Sequence, residues 1–310
     1  MQFNLIDEKW IPVKRRDGTS DMITPWEVTD KFEENPMVAL NAPRPDFNGA
    51  LIQFLIGLVQ TTAAPENRIE WKQKLRTPPS KKALMDQFST VRHAFELGGD
   101  GPRFMQDFNK LDAEIGSVGG LLIDTPGEHA LKRNTDHFVK RNGVASMCPA
   151  CCATALFTMQ TNAPMGGQGY RTSLRGGGPL TTLVLGDDRF DTLWHSIWLN
   201  VLETNIFLNM CNKARIALEN KFPWIAKTIP QASEQDIHPS QYFWAMPRRI
   251  KLNLNELQTG ECDICSSKSA QLILTYQEVN KGTKYLEPMK HHLSPYDNNK
   301  KNQFLCKLEA

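Results

Sequence analysis

Long apolar runs are missing from this sequence: none approaches the roughly 20 residues needed to cross a bilayer. The opening, MQFNLIDEKWIPVKRRDG, is interrupted by acids and a proline too early to be a secretory signal. The expectation is a cytoplasmic protein with no membrane partner. There is little excess of charge of either sign, with a net +2 over 310 residues. Hydrophobic residues make up 40% and charged ones 23%, which excludes a disordered chain. That balance neither demands nor forbids a polyanion, because a local basic patch can sit on a neutral protein. Internal repeats and low-complexity tracts are absent. Enzyme signatures are absent too. The glycine-rich segment at 162–179 does not end in Gly-Lys-Ser/Thr and follows no strand of a βαβ unit, and neither G-x-S-x-G nor H-E-x-x-H occurs. His291 and His292, in MKHHLSPYD, could ligate a metal or act as a base, but adjacent histidines in a proline-flanked loop read more simply as surface residues. Asp124, Glu128 and Asp136 have no partner set by spacing. The chain is expected to bind rather than to catalyse, with no catalytic residue assigned.

What is present begins with cysteine. The count of 7 is odd, which in a chain without a secretory signal argues against a disulfide framework. CPAC at Cys148 and Cys151 and CDIC at Cys262 and Cys265 each have metal-ligand spacing. A C-x-x-C turn aims two thiolates at one ion, and two such turns give tetrahedral zinc. More than a third of the chain separates the pairs, so a shared Zn2+ would pin two distant segments together. A redox dithiol is the alternative. A closed four-sulfur set leaves no position for water, so the zinc would be structural. Cys152 reads as a buried bystander.

The coarse layout is mixed. Leu5–Val13 alternates like a strand and meets a turn at Asp17–Gly18, followed by a short strand near Met22–Ile23. Leu51, Phe54, Leu55, Leu58 and Val59 predict a helix over 46–62. A second helix is expected over 80–97 with Ser80 as N-cap, stopped by GGDGP, and others over 149–161 and 190–203. Strands are expected at 179–187, 248–257 and 269–279. The fold class is α+β, a mixed globular domain of several small antiparallel sheets and helices pinned by the four-cysteine zinc site.

Two segments point to a polyanion. ALKRNTDHFVKRNG carries Lys132, Arg133, Lys140 and Arg141 against Asp136, with His137 and Phe138 interleaved, offering charge for phosphates and flat faces for bases. NAPMGGQGYRTSLRGGGP crowds Gly166, Gly167, Gly169, Gly176, Gly177 and Gly178 around Tyr170, Arg171 and Arg175. A rigid metal post could carry both loops. Gly176–Gly178 read as a simple turn of the chain. Arg171 and Arg175 have two open readings: contact with phosphate, or internal pairing with Asp187 and Asp188.

Over nearly its whole length the chain resembles the CasA family, the large subunit of the type I-E CRISPR surveillance complex Cascade. NLIDEKWIPV, PRFMQD (102–107), CPACCATALFTMQTNAPMGGQGYRTSLRGGGPLTTLV (148–184), CDIC and HLSPY (292–296) fall in the family's order. The resemblance implies a non-catalytic, DNA-binding subunit that recognises the protospacer-adjacent motif in double-stranded target DNA, helps start guide-RNA-directed unwinding, and later engages a helicase-nuclease. It implies zinc at Cys148, Cys151, Cys262 and Cys265. The family's minor-groove glycine loop maps onto Met165, Gly166, Gly167 and Gln168, with Met and Gln where relatives are richer in glycine. Lys281, with Lys284 next, matches a DNA-contacting lysine beyond the second cysteine pair, and Arg171 adjoins the loop. Phe138, with Lys140 and Arg141, matches the loop that meets the guide RNA 5′ handle and other Cascade subunits. The resemblance also implies a single domain over 1–310, with the family's C-terminal helical bundle absent from this chain. A zinc-dependent nucleic-acid enzyme and a purely structural assembly subunit are the rival readings.

Overall fold

The apolar stripe at 46–62 forms helix α1, Pro45–Thr62, in a computed structural model. It describes residues 1–137, 139–141, 143–163, 167, 169–177, 180–209, 221–233, 236–286, 291–297 and 303–304. Pro45 sits in the first turn, where a missing N–H costs nothing. Helix α2 is Arg68–Arg76, capped by the Asn67 side chain, and was not anticipated. Helix α3, Lys81–Ser89, starts at Ser80, whose hydroxyl accepts from Ala83 N–H as expected. It is shorter than the expected 80–97 span, and Arg92–Ala94 forms only a 3-10 turn. Helices α4 (Glu128–Arg133), α5 (Pro149–Asn162), α6 (Leu193–Trp198), α7 (Thr204–Asn209) and α8 (Gln241–Trp244) follow. The expected helix over 190–203 thus contracts to α6, begun by the Thr192 cap.

Helices α1 and α5 pack against each other at the centre. Both are buried around most of their circumference, so their polar residues must find partners inside. Gln60 exchanges two hydrogen bonds with the Leu202 backbone, at 3.0 and 2.7 Å. The ring of Phe54 meets Trp10, Phe95, Phe104, Phe157 and Trp244 edge to face, with centroids 5.1 to 6.1 Å apart. Such pairs contribute about 0.5–1.5 kcal/mol each beyond area burial. Gly57 lets α8 approach: a Cβ there would lie 2.8 Å from Phe243 Cβ.

Small sheets surround this pair. Strands β1 (Ile11–Arg15) and β2 (Ser20–Ile23) make the expected hairpin, turning through Gly18 at φ +88°. Leu5–Trp10 ahead of it is not strand. Its turn is held instead by Trp10 Nε1 donating to Leu5 O, and by Asn4, which donates to Arg92 O and Glu96 Oε1. Strand β3 (Met37–Leu40) flanks β1. Further on are β4 (Ile115–Ser117), β5 (Gln231–Ala232), β6 (Arg249–Leu252), β7 (Gln258–Glu261), β8 (Lys268–Leu272), β9 (Thr275–Val279), β10 (Lys284–Tyr285), β11 (Tyr296–Asp297) and β12 (Gln303–Phe304). They pair as an antiparallel β4-β9-β6 sheet, the β7-β8 and β11-β12 hairpins, and a parallel β10-β5 ladder. The expected strand over 269–279 is therefore two strands, β8 and β9, belonging to different sheets. The expected strand at 179–187 does not form over the described residues 180–187. Thr182 N–H donates to Leu293 O and Val184 N–H to the Asn200 side chain, which supplies isolated bonds rather than a ladder. Among the described residues no helix is long and apolar enough to cross a membrane.

The PRFMQD segment turns out to be a structural clasp. Gln106 donates to Leu97 O and accepts from Leu252 N–H, while buried Asp107 accepts from Arg249 Nε, Thr228 Oγ1 and Asn109 N–H. Burial opposes ionisation of Asp107, but these donors, Arg249 first, hold its pKa below the usual carboxylate value.

Candidate nucleic-acid interface and metal centre

Cys148 caps the N-terminus of α5 and Cys151 sits one turn in, so the helix itself fixes their spacing. Cys262 and Cys265 occupy the turn of the β7-β8 hairpin. The hairpin is brought to the helix by Asp263, whose carboxylate accepts from Ala145 N–H, Ser146 N–H and Ser146 Oγ. Met147 and Ile273 exchange a further pair of backbone bonds beside it. The result gathers all four sulfurs within 4.8 Å of one another. Cys148 Sγ and Cys265 Sγ are 3.8 Å apart, too far for a disulfide. That separation is close to the ~3.8 Å edge of a tetrahedron with 2.3 Å metal–sulfur bonds.

The donor set fits a thiophilic cation. Cys148 N–H donates to Cys262 Sγ at 3.3 Å, and Ser267 Oγ lies 2.9 Å from Cys265 Sγ, so the backbone and a hydroxyl can support thiolate charge. Without a cation, Cys151 and Cys262 are driven in opposite directions. Hydrogen bonds from neighbouring thiols and burial push Cys151 well up, while Cys262, accepting from Cys148 and Cys151, is pushed down. A bound cation would supply the positive charge that lets crowded, buried thiols ionise together. Cys152 is fully buried, as expected.

Helix α5 is 14 residues long, about 21 Å at 1.5 Å per residue. The thiol cluster and the described loop residues Gly167 and Gly169 therefore lie beyond opposite ends of it. The cysteines are not a post beside that loop. They fix the helix whose far end delivers it.

At that far end different chemistry takes over. Fully buried Gln160 donates to Met105 O (3.2 Å) and Arg248 O (2.9 Å) and accepts from Arg248 N–H (3.0 Å). Gly169, at φ +88°, accepts at its carbonyl from Lys281 N–H at 2.9 Å. The guanidinium carbon of Arg248 lies 4.7 Å from the centroid of the Tyr170 ring, and its Nη1 is 3.5 Å from Glu278 Oε1. Burial raises the Glu278 pKa against the pull of Arg248 and lowers that of Arg248. Sequence reasoning missed Gln160, Arg248 and Glu278. The only available signal was the alternation placing Tyr276 and Glu278 on one face of β9.

Several expected site residues are exposed where they were sought. Gly167, Lys281, Lys284 and Lys140 all face solvent. Lys281 adopts φ +65°, an unusual conformation for a residue with a side chain. Arg171 is half-buried, and its Nε is buried with no hydrogen-bond partner among the described residues. Met165, Gly166, Gln168 and Phe138 lie outside the described residues. Arg141 is exposed but committed to the Asp136 carboxylate, its Nη2 also donating to Asn134 Oδ1. The basic segment is thus partly neutralised from within, and its first half is the short helix α4.

Two expectations are overturned. Arg175 neither faces outward nor pairs with Asp187 or Asp188. It is 2% exposed and donates to Ser294 Oγ, Gln53 Oε1, Thr181 Oγ1 and the Leu180 carbonyl. Asp187 instead pairs with Arg189. His291 and His292 are not surface residues. His291 is 1% exposed, and the two rings stack 5.0 Å apart against Phe243. His291 Nδ1 accepts from Leu293 N–H, and His292 Nε2 donates to Asn200 O. Burial first, then Arg175, lowers both pKa values, that of His292 to about 4. HLSPY is thus the receptor that anchors the far end of the glycine-rich loop through Arg175.

These features define a mixed α+β fold clasped by a four-thiol cluster, with Gly167 exposed and Gly169 bonded to Lys281 beyond the far end of α5. The sequence profile described as CRISPR-associated protein Cse1 matches residues 4–308, and the chain belongs to that family. Solved structures agree on the fold. Thermobifida fusca Cse1 superposes with a TM-score of 0.66 at 18% identity, covering 94% of this chain and 54% of that one. Thermus thermophilus CasA (Cse1) gives 0.60 at 16% identity, over 96% of this chain and 57% of that one. A chain of a CRISPR RNA-guided surveillance complex gives 0.65 at 15% identity, over 100% of this chain and 62% of that one. The chain therefore spans somewhat more than half the length of these proteins.

Proposed function

We propose that this chain recognises double-stranded target DNA within a type I-E CRISPR surveillance complex, Cascade. Its glycine-rich loop, Met165–Gln168, reads the protospacer-adjacent motif from the minor groove and helps start guide-RNA-directed unwinding. The observation that carries the reading is the hydrogen bond from Lys281 N–H to Gly169 O. It joins two segments distant in sequence, each expected at DNA from the family resemblance, into one surface. A minor groove is only about 6 Å wide, so backbone enters where bulky side chains cannot. Glycine permits that approach. Because the minor groove distinguishes base pairs chiefly by the guanine amino group, several related motifs would be accepted. Lys281 and Arg171 would supply cationic contacts to the backbone.

In this reading the subunit is not an enzyme, and the cysteines hold a structural Zn2+ with no open position for water. Phe138, Lys140 and Arg141 would face the guide RNA 5′ handle and neighbouring Cascade subunits, with a helicase-nuclease engaged downstream. Gly167 supplies the test. A Cβ there meets nothing within 4 Å, so a side chain can be added without strain. In the complex assembled with guide RNA, duplexes with and without the flanking motif are compared by electrophoretic binding. The native complex should favour the motif-bearing duplex strongly, and Gly167→Phe should lose that preference at unchanged melting temperature. Equal affinity of the native complex for both duplexes would overturn the reading.

A further inference from the structure

The glycine-rich loop and the turn after β9 do not merely touch; three chain segments interlock there. Gly169 abuts Asn280, so that a Cβ on Gly169 would sit 2.7 Å from Asn280 Cβ. Lys281 holds its left-handed backbone while donating to Gly169 O at 2.9 Å. Backbone in this region costs of order 1–3 kcal/mol and persists only where surroundings enforce it. Gly282 is jammed against Pro247, where a Cβ would overlap the Pro247 carbonyl oxygen. Arg248, the next residue, is the hub. Its backbone is clamped at both N–H and C=O by Gln160, at the exit of α5. Its side chain is 6% exposed and spans from Glu278, two residues before Asn280, to the face of Tyr170, immediately after Gly169. Tyr170 is 41% exposed, so nothing in core packing requires an aromatic ring at this position.

We infer that Arg248, held by Gln160 and Glu278, positions the glycine-rich loop through the ring of Tyr170, fixing its distance from Lys281 so that loop and lysine move as one unit. That this unit meets DNA rests on the function proposed above; that it is one unit does not. Arg248, Glu278 and Tyr170 are positioning residues. A ring over a desolvated guanidinium is attracted by its quadrupole, an effect that survives loss of the phenol hydroxyl but not loss of the ring.

Tyr170 variants test this, because Arg248 variants would disrupt the buried hub itself. In the full chain, amide hydrogen exchange at Lys281 is followed for Tyr170→Leu and Tyr170→Phe. Tyr170→Leu should exchange about tenfold faster at Lys281, with α1 amides and melting temperature unchanged, and Tyr170→Phe should stay within about twofold of native. Unchanged protection of Lys281 in Tyr170→Leu overturns the inference. So does equal acceleration in Tyr170→Phe, which would assign the effect to the hydroxyl. Duplex binding by the assembled complex then separates the two claims. If Tyr170→Leu and Lys281→Ala both weaken it, positioning serves DNA recognition. If neither does while the exchange result holds, the coupled unit stands and the DNA reading falls.

Discussion

The two ends of α5 solve the same problem with different chemistry. At the N-terminal end, four thiols from two remote turns converge, and a cation would supply the cohesion. At the C-terminal end, a buried glutamine, a buried arginine and an exposed tyrosine share the work through hydrogen bonds and a ring contact. The contrast teaches that cohesion is concentrated in a single cluster at one end and distributed over several weaker contacts at the other. A metal clamp is close to all-or-none, whereas a network of bonds each contributing about 1 kcal/mol can be graded.

The comparison is broken most severely at the thiol end. Chelation, or Cys148→Ser, should remove one metal per chain and lower the melting temperature by about 10 °C or more, since structural zinc binding is folding free energy. Calorimetry with metal analysis checks it, and Cys152→Ala should keep the metal. A correctly folded, metal-free native protein would show that hydrogen bonding through Asp263 suffices. At the other end, Gln160→Leu strands two carbonyls and one N–H in the interior. It should cost about 3 kcal/mol in denaturant unfolding while leaving metal content intact. Metal loss in that variant would mean the two ends are not independent. Ser294→Ala is gentler. It removes the acceptor of two Arg175 bonds, at 2.9 and 2.6 Å, for about 2 kcal/mol.

The same contrast governs what the sequence discloses. The thiol end was legible because C-x-x-C spacing is a local signal, α1 because apolar periodicity is local too, and α5 as the helix leaving the first cysteine pair. The loop end was not. Arg175 reads as a cation in a flexible loop, yet its partners, Gln53 and Ser294, are each more than a hundred residues away. The histidine pair looks exposed from its proline-flanked context and is buried because Phe243, Tyr242 and Phe207 pack against it. The apolar, β-prone stretch at 180–185 imitates a strand, but Leu180, Val184 and Leu185 face outward, and among the described residues no neighbouring strand completes a ladder. The helix over 80–97 was overextended because its later apolar residues are buried by tertiary contacts, not by helical periodicity. Even the family motifs PRFMQD and HLSPY disclosed position but not role: both are clasps that hold the scaffold.

The smallest effect concerns that histidine pair and sharpens the comparison at the loop end. An exposed histidine titrates near 6.5, whereas burial, reinforced by Arg175 and opposed by the Asn200 carbonyl, lowers His292 to about 4. Between those values the unfolded chain binds more protons than the folded one, so stability rises with pH and drains away as pH falls from 6.5 toward 4. Raising of the Glu278 pKa by burial acts in the opposite sense, so the measurement must be a difference. His292→Gln keeps an amide N–H to donate to Asn200 O but cannot titrate. Its melting temperature should fall less steeply than native between pH 6.5 and 4.5, with His291, still buried, supplying the remaining slope. Parallel curves would mean that His292 takes up its proton at the same pH in the folded and the unfolded chain, and so becomes charged inside the fold between pH 6.5 and 4.5. A charged ring could not remain stacked on its neighbour beside Arg175, and the anchor of the glycine-rich loop would then be looser than its hydrogen bonds imply.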